Sequence, residues 1–330
     1  MYKRMSYTIT QESFDRLVSY WADPSQRLDW NSIFVLPIWL KVWWQEFGSG
    51  AELYLGTVRE GEKIIGIAPL LLSEGKASII GSANVCDYLD FVVAPGMERD
   101  FFGVLLDDLK DKGINHLDLG PLRPDSTVLT HLVGIAQNQG YEVLRHSEDV
   151  SLELDLPSTW EEYLATLTGK QRHEVRRKLR RLSQEGKVDY YTVKDSAAVN
   201  NAMGTFLKMF SESRRDKATF LTTQMESFFR SLADAMAKAG LLRLGILELD
   251  LMPVAMILYF DYNNCVYLYN SGYAPQYDSL SVGLLCKVLS IQESIQEGKK
   301  RFDFLKGDET YKYQLGGREV PLSRCQIIIK

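Results

Sequence analysis

Histidine and cysteine are scarce in this chain of 330 residues, four of each. Cys86, Cys265, Cys286 and Cys325 are scattered, with no CxxC pair and no histidine at metal-ligand spacing. That argues against a structural zinc site and a disulfide framework, so no metal is expected, and reduced thiols in a cytoplasmic protein are. Long apolar runs are missing too. The most apolar stretch, residues 33–44 (IFVLPIWLKVWW), holds a proline and a lysine and is shorter than the roughly 18 residues that a spanning helix needs. The first residues lead into polar sequence instead of an apolar signal core, so no signal peptide and no transmembrane segment are expected. Shallow contact with a membrane surface stays open. Basic charge is not in excess either: 38 Lys and Arg against 43 Asp and Glu give a net charge of −5. A protein wrapped in nucleic acid over its whole surface would not show that balance.

What is present is the composition of a soluble globular protein, 45% hydrophobic and 25% charged, with length for about two domains. In the first half, strands are expected at 6–11, 53–59, 63–72, 78–81, 88–93, 116–120 and 141–146. Helices are expected at 12–21, from Pro37 to Gly48, 98–112 and 126–139. In the second half, strands are expected at 152–156, 188–193, 241–249, 253–261, 265–271, 301–305 and 322–329. Helices are expected at 158–184, 197–215, 222–239, 281–297 and 308–314, the fourth ending at the C-cap glycine Gly298. Each half places two helices before an antiparallel meander and then alternates helix and strand. This is an α+β order, not strict βαβ alternation. The polar run His146-Ser-Glu-Asp149 marks the expected boundary, giving modules 1–148 and 149–330.

The segment 267–297 is the most informative. A tyrosine-rich strand (Tyr267, Tyr269) runs into Ser271-Gly272-Tyr273 and a loop, then Ser281-Val282-Gly283-Leu284 opens a helix. Free backbone N–H groups and the helix dipole at such a start favour an anion such as a pyrophosphate. Ser281 as a plain cap, with Gly283 fitting tight packing, accounts for the same residues. Downstream, Phe302-Asp-Phe-Leu-Lys-Gly307 breaks into the charged cluster Asp308, Glu309 and Lys312.

Together these segments resemble the C-terminal signature of the CelD/FemAB-like branch of the GNAT acyltransferase superfamily. The resemblance extends over most of the chain through Pro37-Ile-Trp39 with Trp43-Trp44, Ile65-Gly-Ile-Ala-Pro-Leu70, Asp87-Tyr-Leu-Asp-Phe91, Arg172 to Leu182, Phe228-Phe229, Gly240 to Leu244, Pro253-Val-Ala255 and Asn270-Ser-Gly-Tyr273. It implies two GNAT-like modules, each a central mostly antiparallel mixed sheet flanked by helices. It further implies acyl transfer from acyl-CoA to a primary amine of a small molecule, sugar or lipid precursor, with the donor and the chemistry in the second module and the acceptor between the two. A tRNA-dependent aminoacyl transferase of FemAB type and a non-catalytic binding protein of the same fold are the alternatives. Lys312, in Tyr311-Lys-Tyr-Gln-Leu-Gly-Gly317, resembles the substrate-site lysine of the FK..FGG segment of FemAB-type transferases, with tyrosine where those relatives have phenylalanine.

The chemistry assigns expected roles. Tyr269, Ser271, Ser281, Val282, Gly283 and Leu284 are candidates for the donor's phosphates and for the oxyanion that develops at the acyl carbon. Asp308, Glu309 and Lys312 are the candidates for catalysis, an acid being needed to take the proton from an ammonium. An acid at 308 also caps a short helix without any catalysis. Asp87, Tyr88, Asp90, Tyr273 and Tyr311 are candidates for the acceptor. The one strong charge feature is 170–187, with eight basic residues and two acids, which leaves −11 on the rest. Arg172, Arg176 and Arg180 recur at helical spacing along one face, an expected clamp for a compact anion. The acidic remainder argues against a long nucleic acid as partner.

Overall fold

The computed structural model describes residues 7–82 and 84–329. Ser6, the expected start of the first strand, and Lys330, the expected end of the second module, lie outside the described residues. In chain order the elements are β1 (Tyr7–Gln11), α1 (Phe14–Trp21), α2 (Pro37–Phe47), β2 (Glu52–Glu60), β3 (Lys63–Ser73), β4 (Lys76–Ile79), β5 (Val92–Val93), α3 (Glu98–Asp111), β6 (His116–Leu122), α4 (Val133–Asn138) and β7 (Glu142–Asp155). They continue with α5 (Trp160–Thr166), α6 (Gly169–Glu185), β8 (Val188–Val193), α7 (Ser196–Ser213), α8 (Arg215–Phe220), α9 (Thr223–Lys238), β9 (Leu242–Leu249), β10 (Met252–Tyr262), β11 (Cys265–Tyr273), α10 (Val282–Gln296), β12 (Arg301–Lys306), α11 (Thr310–Gln314) and β13 (Arg318–Ile328). Among the described residues no helix is long and apolar enough to cross a membrane.

The α+β class stands, and the chain forms two compact units. The first comprises residues 1–149 together with 320–330, and the second Val150–Glu319. In the first, the strand order is β1-β2-β3-β4-β6-β13, with β5 on β3. Only the β4–β6 pair is parallel. The last strand is thus not part of the second unit: Leu322, Cys325 and Ile327 are buried, and β13 pairs antiparallel with β6. In the second unit the order is β7-β12-β11-β10-β9-β8, antiparallel apart from β11–β12.

Three local expectations give way to side-chain chemistry. The expected strands 141–146 and 152–156 are one strand, β7, with the polar run His146–Asp149 in its middle, beside the division between the units at Asp149. Its Glu148 pairs with Arg324, which also holds Asp118, so charge on that run is satisfied within a sheet instead of by a turn. The expected helix 158–184 breaks at Leu167. Thr168 closes a reciprocal capping box with Gln171 and starts α6 afresh, a T-x-x-Q signature visible in the sequence. The expected strand 88–93 pairs only at Val92–Val93, because the carboxylate of Asp90, 4% exposed, organises a loop instead. It accepts from Asn31 Nδ2 (3.0 Å), the N–H groups of Phe91 and Thr127 (2.9 Å each) and the Thr127 hydroxyl (2.5 Å).

Burial pushes the Asp90 carboxyl up to about 6 despite those four donors. Replacing it strands buried donors, each at a cost of about 1–3 kcal/mol. Asp90→Ala is therefore expected to lower the unfolding free energy of the protein by roughly 3 kcal/mol in a urea titration. An unchanged midpoint would show that the loop does not depend on this side chain.

Candidate functional site

The site grows from a parting of two strands. β11 and β12 pair in parallel over Cys265–Tyr267 and Arg301–Asp303 and no further. Beyond that point β12 turns to β7 through an irregular register, and β11 continues to Tyr273. On its other side β11 carries a bulge against β10. Leu258 faces Asn270 and Tyr259 faces Leu268, so Tyr269 is the extra residue. A bulge beside a strand parting re-aims backbone groups into the opening, as such irregularities commonly do next to functional sites.

A buried ammonium holds the parting in place. Lys312, 2% exposed, donates to the carbonyls of Leu305 (3.0 Å), Lys306 (2.6 Å) and Gly307 (3.1 Å) and pairs with Glu309 at 2.9 Å. The backbone has left strand geometry there: Leu305 has φ 62° and Gly307 φ 105°. The Asp303 carboxylate catches the Leu305 N–H at 2.7 Å from the other end of the kink. Burial raises the carboxyl pKa of Glu309, but the Lys312 ammonium outweighs it and holds the group below the ordinary carboxylate range.

Into the opening points the start of α10. Ser281 sits in the left-handed region (φ 57°, ψ 35°) and makes no side-chain cap. Its hydroxyl instead accepts from Lys178 Nζ of α6 at 2.6 Å. The first intrahelical bonds run from Leu284 and Leu285 to the Ser281 carbonyl, which leaves the N–H groups of Val282 and Gly283 as the orphan donors of the helix start. Gly283 lies under the Tyr273 ring: a Cβ there would stand 2.9 Å from Tyr273 Cδ1. Ser281, Gly283 and Tyr273 open on a pocket of about 360 Å³.

Three cations line that pocket, Arg214, Lys217 and Lys287, against one acid, Asp278. α7 brings the first two. A Cβ on Gly272 would stand 2.3 Å from the Phe210 nitrogen, so only glycine lets α7 lie this close on β11. After α7, Arg214 takes an extended conformation and α8 begins. Lys217 then donates to the Ser271 carbonyl, with its ammonium 4.9 Å from the Phe210 ring centroid. Burial, with Lys287 and Arg214 nearby, pushes Lys217 down to about 7. Lys287, one turn into α10, donates to the Gly283 carbonyl at 3.0 Å and lies 4.8 Å from the Tyr311 ring centroid. Burial pushes it down to about 8. Burial likewise raises the phenols of Tyr273 and Tyr311, and Tyr273 hydrogen-bonds Asp278.

Ser271, Tyr273, Ser281, Gly283, Leu284 and Tyr311 therefore come together around one pocket. Val282 is buried and does not line it, and Tyr269 forms the bulge in β11. The other candidates do not line it. Lys312 has its donors engaged by three carbonyls and Glu309, which makes it a positioning residue. Asp308 is exposed. Arg176 pairs with Glu161 at 2.8 Å, Arg172 donates to the Leu164 carbonyl, and Arg180 is exposed. Asp87, Tyr88 and Asp90 belong to the first unit, where Tyr88 is buried under Arg123. Sequence reasoning missed Arg214, Lys217, Lys287 and Lys178. Only Lys287 left a signal, a lone cation inside the apolar run of α10.

Residues 169–313 match the acetyltransferase (GNAT) domain family. No curated protein matches the chain. Among solved structures, FemX is similar over 96% of this chain and 96% of its own, at 10% identity and a TM-score of 0.66. The C-terminal domain of a protein named as a lysylphosphatidylglycerol synthetase from Agrobacterium fabrum is similar over 95% of this chain and 92% of its own, at 11% identity and a TM-score of 0.61. A conserved protein of unknown function from Bacteroides thetaiotaomicron is similar over 98% of this chain and all of its own, at 12% identity and a TM-score of 0.60. At such identities the likeness shows a shared fold. Among the described residues no group of three or more His, Cys, Asp or Glu side chains is placed to hold a metal.

Two predictions follow from this geometry. Lys312→Met strands three carbonyls and a carboxylate, and is expected to destabilise the protein by about 3 kcal/mol or more in urea denaturation; a purely catalytic lysine would leave stability unchanged. The second concerns pH. Lys217 and Lys287 lose their charge near pH 7 and 8, so binding of sulfate, whose own charge is constant there, should weaken steadily from about pH 6 to about pH 9. Isothermal calorimetry at several pH values measures this, and a flat or rising affinity contradicts the assignment.

Proposed function

Since residues 169–313 carry a GNAT acetyltransferase domain, we propose that the protein is an N-acyltransferase that moves an acyl group from acyl-CoA to a primary amine. The observation that carries this reading is the start of α10. The helix start at Gly283, where a Cβ would press on the Tyr273 ring, and three cations converge on one pocket. Such a cradle fits a pyrophosphate, because helix-start donors and nearby cations both favour negative charge. The residues thus suit the phosphates of a CoA thioester. On this reading the acyl end would run toward the bulge at Tyr269.

On this reading each residue has a defined task. Val282 and Gly283 donate to phosphate oxygens, with Arg214, Lys217 and Lys287 balancing charge. Backbone donors at the β11 bulge face the carbonyl oxygen as it gains charge. Tyr273 and Tyr311 keep neutral phenols near the pocket, and either can give a proton to the leaving thiolate. The amine acceptor is a small molecule, sugar or lipid precursor. The four buried free thiols suit a reducing compartment, and we place the protein in the cytoplasm.

Gly283→Val should push Tyr273 into the cradle and weaken CoA binding by about tenfold or more in calorimetry, with the melting temperature nearly unchanged. Equal affinity in the variant would move the donor site elsewhere. A salt series with labelled tRNA separates the two carriers. Tight tRNA binding that falls steeply with salt and vanishes in Arg176→Glu would assign the chain to aminoacyl transfer instead.

A further inference from the structure

The amine of Lys217 is placed for covalent chemistry of its own. Its hydrogen bond goes to a carbonyl, that of Ser271, and one side of it faces the Phe210 ring. Three carboxylates stand near, each with a partner of its own: Asp216 is held by Arg214 through two contacts of 2.9 and 2.8 Å, Glu309 by Lys312 at 2.9 Å, and Asp278, which lines the pocket, by Tyr273. Two cations, Arg214 and Lys287, share the pocket. With burial they outweigh the attraction of Asp216 and Glu309, so much of Lys217 is a free amine at neutral pH. The Ser271 carbonyl that it touches is two residues along β11 from the bulge at Tyr269.

We propose that Lys217 is a self-acylation site, taking an acyl group from a thioester bound in the pocket and thereby closing the pocket to further anion. This rests on the acyl-CoA reading above. The Nζ lone pair adds to the thioester carbonyl carbon, a C–N bond forms, and the C–S bond breaks with its electron pair on sulfur. The proton shed by nitrogen neutralises the thiolate, so the products are an amide and a free thiol. The amide is uncharged, and the pocket loses one of its three cations. Donor in excess of acceptor would thus shut off its own binding.

Trace labelling with acetic anhydride from about pH 5 to about pH 10, read by peptide mass spectrometry, measures the amine without any donor binding. Lys217 should label ahead of Lys170, which is exposed on α6, near neutral pH, and its labelling should level off by about pH 8. Incubation with acetyl-CoA should then place one acetyl group on Lys217 ahead of Lys170, and Lys217→Arg should abolish that labelled peptide. Both the acetylated protein and Lys217→Gln are expected to bind sulfate about tenfold more weakly at about pH 6. Parity of Lys217 with Lys170 in either labelling overturns the proposal. An unmodified Lys217 in a protein that binds CoA by calorimetry overturns self-acylation alone, and absence of CoA binding overturns the donor reading together with the source of the acyl group.

Discussion

One buried ammonium organises the second unit's working end. An ion as poorly exposed as that of Lys312 is tolerated only when its donors are fully matched. Three consecutive carbonyls and Glu309 do the matching. Consecutive carbonyls in a regular strand point alternately to opposite sides, so they can converge on one point only where the strand is broken. The left-handed Leu305 and the positive φ of Gly307 are that break. Without it β12 would continue beside β11, and the opening in which α10 presents its first N–H groups would be a closed sheet.

The pocket's electrostatics follow from where acids are absent. Two carboxylates in the neighbourhood, Asp216 and Glu309, are each bound to a basic residue of their own. What remains for Lys217 and Lys287 is a carbonyl apiece and an aromatic face. Burial disfavours the charge of both lysines, and carbonyls and rings offset it less than a paired carboxylate would, so even with Asp278 in the lining both shift toward neutrality. The site is therefore cationic enough to attract phosphate and weakly enough charged to change state near physiological pH.

The fold was largely legible because apolar periodicity and turn residues are local signals. The strands 53–59 and 63–72, the Pro37 helix start and the Gly298 helix end all appear where the sequence places them. The misplaced features are those decided at a distance. His146–Asp149 reads as a break between two strands until Arg324, far along the chain, pairs with Glu148. The candidate site was legible where backbone carries it, from Ser271 through Leu284, since glycine and a helix start declare themselves. It was illegible where side chains do. Arg172, Arg176 and Arg180 share the expected face, yet their reach goes to Leu164 and Glu161 or into solvent. Lys178, two residues from Arg176 and from Arg180 and so on the other side of the helix, is the one that touches Ser281. Lys217 sits in a short helix whose sequence shows only the end of the preceding one.

The placement of β13 has a consequence for biosynthesis. β6 takes its antiparallel neighbour from residues that are translated after the whole second unit. Until they leave the ribosome, β6 shows an unpaired edge, a template for wrong partners. A chain stopped near Asp149 would keep that edge permanently, so the first unit is not an autonomous fragment, and its maturation waits for the synthesis of β13 beyond the second unit.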